Sequence, residues 1–332
     1  MRLWRRLSIA GYCCRELAPI GIRRTSMNIE NSIPLPPDFD EAINSVGAID
    51  MGSKNFKFVF GQKVNGNITT ELIGKECLKL GKEVTENDGL IGEAKILQMQ
   101  EALSRFVRYC RDRGAPEVLA IATSAIRNAK NHQRIIDMAR ETGLTIDVAD
   151  GIREGRLGYL AATGGASNKL VSDGGSKSMQ IAWEFMGKIH CHSAPVGYEL
   201  AYEGFLEPAS TYDEAEHMFR RFLDGNFTEL PENTNQFVAL AANAIASFVT
   251  GEEKRTPHRT LTKAALNGKL SELRMLSESQ YGDLKTSLPR IDKVLPGVIF
   301  LDYVMERSGH SEALISENEL PVGLIVEFFL TR

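Results

Sequence analysis

The chain predicts an α/β protein of two similar lobes facing each other across a cleft, and three observations carry that expectation. From residue 45 onward short apolar runs alternate with amphipathic stretches, the pattern of strands and helices packed in layers. The first apolar run, Val46 to Ile49, ends in Asp50, followed by Gly52 and Ser53 and then a strand in which Phe56 and Phe58 alternate with Lys57. A second run ends in Asp173, followed by Gly174, Gly175 and Ser176 and another apolar strand through Trp183. A motif that recurs at so wide a spacing is too long for a solenoid and suits two related lobes. An acid ending a strand, with a glycine opening the turn, offers a carboxylate for a metal and backbone N–H groups for an oxyanion. The plain rival is an ordinary hairpin with an exposed Asp.

The elements follow in order. Val64-Asn-Gly-Asn67 reads as a turn and Ile68 to Leu80 as a third strand, both bounded by turn formers. Leu90 to Arg113 predicts a helix, because Ile91, Ala94, Leu97, Ala102, Leu103, Phe106 and Cys110 make an apolar stripe. Val118 to Ala122 is a buried strand, running through a polar turn at Thr123 to Asn131 into a helix that continues to Ala139. Thr145 to Val148 is a strand, and Asp150 to Leu160 the helix after it. In the second half, strands are expected at Leu170 to Asp173, Lys188 to Ser193, Phe237 to Ala242 and Ala313 to Ser316. Helices are expected at Gly197 to Leu206, Asp213 to Asp224, Asn243 to Thr250, Leu270 to Met275, Ser277 to Ser287 and Val298 to Ser308. Glu252 to Thr262, charged and broken by Pro257, reads as a mobile connection. The resulting division is an extension over residues 1–44, a first lobe over 45–165 and a second over 166–332, with the C-terminal segment free to pack back on the first.

Composition narrows the function. A chain of 332 residues with 43% hydrophobic and 25% charged residues can bury a large core. A net charge of −4 without clustered cations beyond residue 30 argues against DNA or RNA as a partner. No run reaches the roughly 18 to 20 apolar residues of a membrane span. The cysteines, Cys13, Cys14, Cys77, Cys110 and Cys191, have no paired metal spacing and suit a reducing, cytoplasmic setting. Residues 1–26 carry Arg2, Arg5, Arg6, Arg15, Arg23 and Arg24 against one acid, Glu16. They are read as an upstream start or a disordered extension ahead of Met27 rather than as a targeting signal.

Several segments together resemble one family. Ala48-Ile-Asp50-Met-Gly52-Ser53, Ala122-Thr-Ser-Ala-Ile-Arg127 with Asn131, Asp150-Gly151 with Glu154-Gly-Arg156-Leu157, Ala194-Pro-Val-Gly197, and Arg290-Ile-Asp292 with Leu295-Pro-Gly297 are similar, in that order, to segments of the Ppx/GppA phosphatases. The likeness runs from about residue 45 to the end. It implies the duplicated actin-like ATPase, ribonuclease H-like fold. It also implies release of terminal phosphate from inorganic polyphosphate or guanosine penta- or tetraphosphate. Such transfer to water needs charge neutralisation and one oriented water. By this resemblance Glu154 polarises the water, its place near a helix N-terminus favouring the ionised form. Asp50 and Asp173 hold Mg²⁺. Gly52, Ser53, Lys54, Arg127, Gly174, Gly175 and Ser176 receive phosphate oxygens. A homodimer stays open as a further partner.

The chain also departs from the family pattern. Against Asp-x-Gly-Gly-Gly-Ser-Thr-Glu, Asp173 is followed at once by Gly174-Gly175-Ser176-Lys177-Ser178, so either the loop reads as two residues short or the acid has moved and Val171 occupies its place, with Ser178 at the place of the loop Glu. Ser-Asn-Ser has become Ser53-Lys54-Asn55, and Gly-Gly-Thr has become Ala241-Ala242-Asn243. These changes keep a second reading in play, a polyphosphate- or nucleotide-binding regulatory protein with weak or no turnover. A sugar or acetate kinase of the same superfamily is disfavoured by the match around Glu154.

Overall fold

The computed structural model describes residues 24–26, 44–232, 234–252 and 259–332. Most of the extension expected over residues 1–44 therefore lies outside the described residues. The first half contains β1 (Arg24–Ser26), β2 (Ser45–Met51), β3 (Asn55–Val64), β4 (Asn67–Cys77), α1 (Leu80–Glu86), α2 (Glu93–Asp112), β5 (Val118–Ala122), α3 (Ser124–Arg127), α4 (His132–Glu141), β6 (Ile146–Val148) and α5 (Gly151–Thr163). The second half contains β7 (Lys169–Gly174), β8 (Met179–Phe185), β9 (Lys188–Ala194) and α6 (Tyr198–Ala201), which runs on as a π turn over Tyr202–Leu206. It continues with α7 (Tyr212–Asn226), β10 (Gln236–Leu240), α8 (Asn243–Thr250), β11 (Arg259–Thr262), α9 (Lys263–Arg274), α10 (Glu278–Ser287), α11 (Ile291–Ser308), β12 (Glu312–Ser316) and α12 (Leu320–Thr331).

The strands form two six-stranded sheets, ordered β1-β4-β3-β2-β5-β6 and β11-β12-β10-β7-β8-β9. The duplication is explicit in the pairing. In the first sheet β2 pairs antiparallel with β3 and parallel with β5; in the second β7 pairs antiparallel with β8 and parallel with β10. β2 and β7 are therefore equivalent inner strands, and each carries its acid at the C-terminal end. All of β2 is buried, which explains its unbroken uncharged run up to Asp50.

Two helices lie between the sheets, and each covers the sheet of the other half. α5, the last helix of the first half, packs on β7, β8 and β9; α12, which ends the chain, packs on β2 and β3. Small residues let α5 come close: an added Cβ at Gly151 would meet Ser193, and one at Gly155 would meet Cys191. Where α12 crosses α5, a Cβ at Gly323 would lie 2.1 Å from the carbonyl oxygen of Leu157. Arg153 of α5 makes a bidentate ion pair with Glu327 of α12, and Asn318 donates to the Ala161 carbonyl at 2.8 Å.

Two expectations are corrected, and one helix was not expected. The third strand ends at Cys77, and Leu80–Glu86 is a helix too short to show a periodic stripe. The stretch expected to be a mobile connection contains β11, which pairs antiparallel with β12; residues 253–258 of it lie outside the described residues. α12 escaped the sequence reading because it is apolar nearly all round and so carries no amphipathic signal, as a helix held between two layers must be. Among the described residues no helix is long and apolar enough to cross a membrane.

Gly323→Ala should lower unfolding free energy by about 2 kcal/mol, the usual cost of overpacking. Urea denaturation followed by circular dichroism checks it, and an unchanged midpoint would mean the helices separate freely there.

Candidate active site

The two acid-tipped hairpins share one register. Asp50 of β2 stands opposite Lys57 of β3, and Asp173 of β7 stands opposite Gln180 of β8, at the same spacing in both. That spacing is also the one between Asp and Glu in Asp-x-Gly-Gly-Gly-Ser-Thr-Glu. The second loop is therefore not two residues short. Gln180 occupies the place of the loop Glu, Ser178 that of the Ser, and Ser176 and Lys177 replace glycines. Matching Gly174-Gly175-Ser176 to the last glycines and serine of the pattern shifts the frame by two residues.

Asp50 is buried, not an exposed hairpin acid: it is 4% exposed. Its Oδ2 lies 3.3 Å from Lys57 Nζ, and its Oδ1 is buried with no hydrogen-bond partner. Burial pushes the Asp50 and Asp173 carboxyls above the usual range, with Lys57 opposing the shift at both. For Lys57 burial works to lower the ammonium, and Asp50, Glu319 and Asp173 together more than reverse it, so the group stays protonated. Lys293, in the first turn of α11, is held down at about 8 by burial and by Arg290, against the attraction of Asp173. Two acids and two lysines thus act on one another's charge, Asp50 buried and the other three partly so.

Glu154 lies one layer beneath a cleft of about 530 Å³ between the halves. Ser53, Gly81, Val84, Ser124 and Arg127 line the cleft from the first half, Lys177, Ser178, Ser193, Pro195 and Leu200 from the second, and Asp150, Gly151 and Ile152 at the start of α5. Glu154 is 7% exposed; its Oε1 accepts from Arg127 Nη1 at 2.8 Å and its Oε2 from Ser178 Oγ at 3.5 Å. Burial raises its carboxyl to about 7, against the hydrogen bond and charge of Arg127. This corrects the expectation that the helix N-terminus would favour the ionised form, since desolvation outweighs the dipole. Arg127 also donates to the Ala149 carbonyl, which fixes its guanidinium across the strand end.

The other predicted residues divide. Ser53 lines the cleft, hydrogen-bonds Ser124 Oγ at 3.1 Å and has its carbonyl held by Gly81 N–H at 2.8 Å. Gly52 makes the turn: a Cβ there would lie 2.9 Å from Asn55 O. Lys54 is exposed and, among the described residues, lies outside the lining. Gly174 gives its missing side chain to Tyr198, whose ring a Cβ would strike at 2.0 Å, and Gly175 N–H donates to Ser178 O at 3.0 Å. Ser176 is exposed, and its carbonyl accepts from Glu199 N–H. Lys177 reaches the cleft with its ammonium 3.4 Å from Glu199. The sequence reading missed Lys57, Gln180, Lys293, Ser124 and α1. Lys57 had a usable signal, since a hairpin closing symmetrically at Gly52 to Asn55 puts it opposite Asp50.

The family model described as the Ppx/GppA phosphatase family matches residues 59–331. The chain belongs to the Ppx/GppA phosphatase family. The match begins after the first loop, so the likeness of Asp50 to Ser53 rests on those residues themselves. Exopolyphosphatase 1 of Mycobacterium leprae is 25% identical over 142 residues, 41% of this chain and 42% of that protein. The guanosine-5'-triphosphate,3'-diphosphate pyrophosphatase of Aliivibrio fischeri is 28% identical over 138 residues, 40% of this chain and 28% of that protein. The chain thus aligns with less than half the length of either relative. The crystal structure of the Aquifex aeolicus Ppx/GppA family member superposes with a TM-score of 0.73 at 23% identity, covering 87% of this chain and 98% of that one. At that identity the likeness establishes the fold, the two-lobed α/β architecture expected of a Ppx/GppA protein.

Where the family pattern has Gly-Gly, Ala241 sits in the left-handed region at φ 54° and Ala242 is buried. The first glycine of the pattern therefore answers a backbone demand. Ala241→Gly should stabilise the fold by about 1 kcal/mol, read from the denaturation midpoint; a loss would mean the alanine methyl makes a compensating contact.

Arg127→Met leaves the Glu154 carboxylate buried without its cation. The Glu154 carboxyl is already raised in the fold, so protonation favours the folded state and stability declines as pH climbs from the ordinary carboxylate range toward about 7. Losing Arg127 raises the carboxyl further and extends that decline upward. The variant should be destabilised by about 3 kcal/mol at pH 8 and much less at pH 5. Equal losses at the two pH values, by chemical denaturation, would mean the pair is not electrostatic.

Proposed function

We propose that the protein is a phosphohydrolase that releases terminal phosphate from inorganic polyphosphate or a guanosine penta- or tetraphosphate, working in the cytoplasm with Mg²⁺. The observation that carries this reading is the Arg127–Glu154 pair at the floor of the inter-lobe cleft, with Ser53, Ser124, Ser178 and the start of α5 around it. Arg127 and the backbone N–H groups of Gly151 and Ile152 are suited to phosphate oxygens, the first as a planar fork and the others as unpaired donors of a helix N-terminus. Glu154, titrating near neutrality, is suited to take a proton from the attacking water. Ser178 and Gln180 hold its second oxygen side: Gln180 Nε2 donates to Ser178 Oγ at 2.9 Å, and Ser178 Oγ to Glu154.

Among the described residues no group of three or more His, Cys, Asp or Glu gathers as a metal cluster. A fit for Mg²⁺ nevertheless exists, because that ion commonly takes only one or two carboxylates together with waters and substrate phosphate. Asp50 Oδ1 is a buried carboxylate oxygen without a partner, and Asp173 faces it closely enough to feel its charge. These two residues would hold the ion, and Mg²⁺ when bound supplies charge neutralisation at the phosphate oxygens.

A second reading has its own support. Gln180, buried at 3% exposure, replaces a carboxylate of the family pattern and favours a binding or regulatory protein with slow turnover.

Phosphate release from defined polyphosphate separates the two readings. Turnover is expected, falling about 10²- to 10⁴-fold in Glu154→Gln with substrate binding retained. Its rate should drop as pH falls below about 7, because Glu154 must be ionised to act as a base. If wild type and Glu154→Gln both bind polyphosphate and neither hydrolyses it, the regulatory reading holds.

A further inference from the structure

Building on the assignment of Asp50 and Asp173 to a divalent ion, we propose that Lys57 is the resident cation of the Asp50 carboxylate and passes to Glu319 when the ion binds. The geometry is that of an exchange. Lys57 Nζ stands 3.3 Å from Asp50 Oδ2 and 3.4 Å from Glu319 Oε1, so it already touches both carboxylates. The cross-strand pairing of Asp50 with Lys57 fixes where the lysine stem starts, and a short swing of its tip is enough to leave one acid for the other. Only one oxygen of Asp50 is engaged, and its other oxygen is buried and unpartnered.

An ammonium and a divalent cation cannot both sit on one desolvated carboxylate without strong repulsion. A lysine expelled from Asp50 into the same pocket would be equally costly if it had nowhere to go. Glu319 removes that cost. It is the residue just before α12, where a carboxylate is favoured by the helix dipole, and it also holds Lys75 Nζ at 3.3 Å. Lys57 is therefore a positioning residue that competes with the ion for Asp50, and Glu319 sets how strongly it competes.

The test is isothermal titration calorimetry of the full chain with magnesium chloride alone, in wild type, Lys57→Met, Glu319→Gln and the double variant. Lys57→Met should bind Mg²⁺ about tenfold more tightly, near the low end of what a charged hydrogen bond contributes. Glu319→Gln should bind about threefold more weakly, because Lys57 then has only Asp50 to hold it. The deciding readout is coupling: in the Lys57→Met background the effect of Glu319→Gln should be clearly smaller than in wild type, reduced to the direct pull of the Glu319 charge on the ion beside Asp50 and Asp173. Additive effects, or a Lys57→Met affinity equal to wild type, would overturn the exchange while leaving the metal assignment intact. Absence of Mg²⁺ binding in all four proteins would overturn the metal assignment and the exchange together. If circular dichroism shows Lys57→Met unfolded, Lys57→Gln takes its place with the same expectations.

Discussion

The crossing of α5 over α12 is the contact on which the rest of the molecule depends. Each helix belongs by sequence to one half and by packing to the sheet of the other. This helix pair ties the two sheets together, with its spacing set by Gly323 against the Leu157 backbone. That spacing also sets the site. α5 carries Glu154 in its first turn; Glu319, which reaches Lys57, immediately precedes α12; and the C-terminal ends of β2 and β7 carry Asp50 and Asp173. A helix pair opened by even one methyl group would separate charged groups that now act on one another. Packing and electrostatics are consequently the same constraint here.

Within that frame, the site is a balance of charges removed from water. Asp50, Asp173 and Glu154 are all pushed toward protonation by burial, and Lys57, Lys293 and Arg127 work in the opposite direction. Glu154 settles near neutrality because its arginine only partly offsets its burial. Asp50 and Asp173 share Lys57, which is pulled by Glu319 as well. Glu154 and Arg127 are paired with one another, whereas the cation between Asp50 and Asp173 is shared.

Much of this could be read from the sequence, and the failures have physical reasons. The acid-tipped hairpins were legible because an uncharged run ending in Asp-x-Gly reports both a buried strand and a turn. Most strands of both halves, the helix α2 through its apolar stripe, α7, and α11 from Val298 onward were visible, whereas β1 and β11 were not. α12 was not, because a helix buried on several sides has no polar face to mark it. α1 was not, because seven residues give no period. A lysine near an apolar strand or helix start normally points to solvent; the hairpin register alone puts Lys57 opposite Asp50, whereas Lys293 is brought toward Asp173 by the tertiary fold. The second loop was misread because glycines were matched in place of the strand register, and the backbone pairing of Asp173 with Gln180 restores the frame.

That corrected frame changes what the departures from the family pattern mean. A loop two residues short would have displaced the phosphate clamp, and displacement is ruinous for catalysis even at an ångström. A loop of the right length with Gln180 for Glu, Lys177 for Gly and Lys54 in the opposite turn leaves the frame in place and alters its charge. Gln180 removes a negative charge and Lys177 adds a positive one beside Glu199, while Lys54 is exposed outside the cleft lining. Gln180 keeps a structural duty, bridging Ser178 and Ser193 beneath the cleft, so its substitution removes a carboxylate without removing a hydrogen-bonding group. These changes leave Glu154 in place, and its two oxygens remain held by Arg127 and Ser178 within the intact frame.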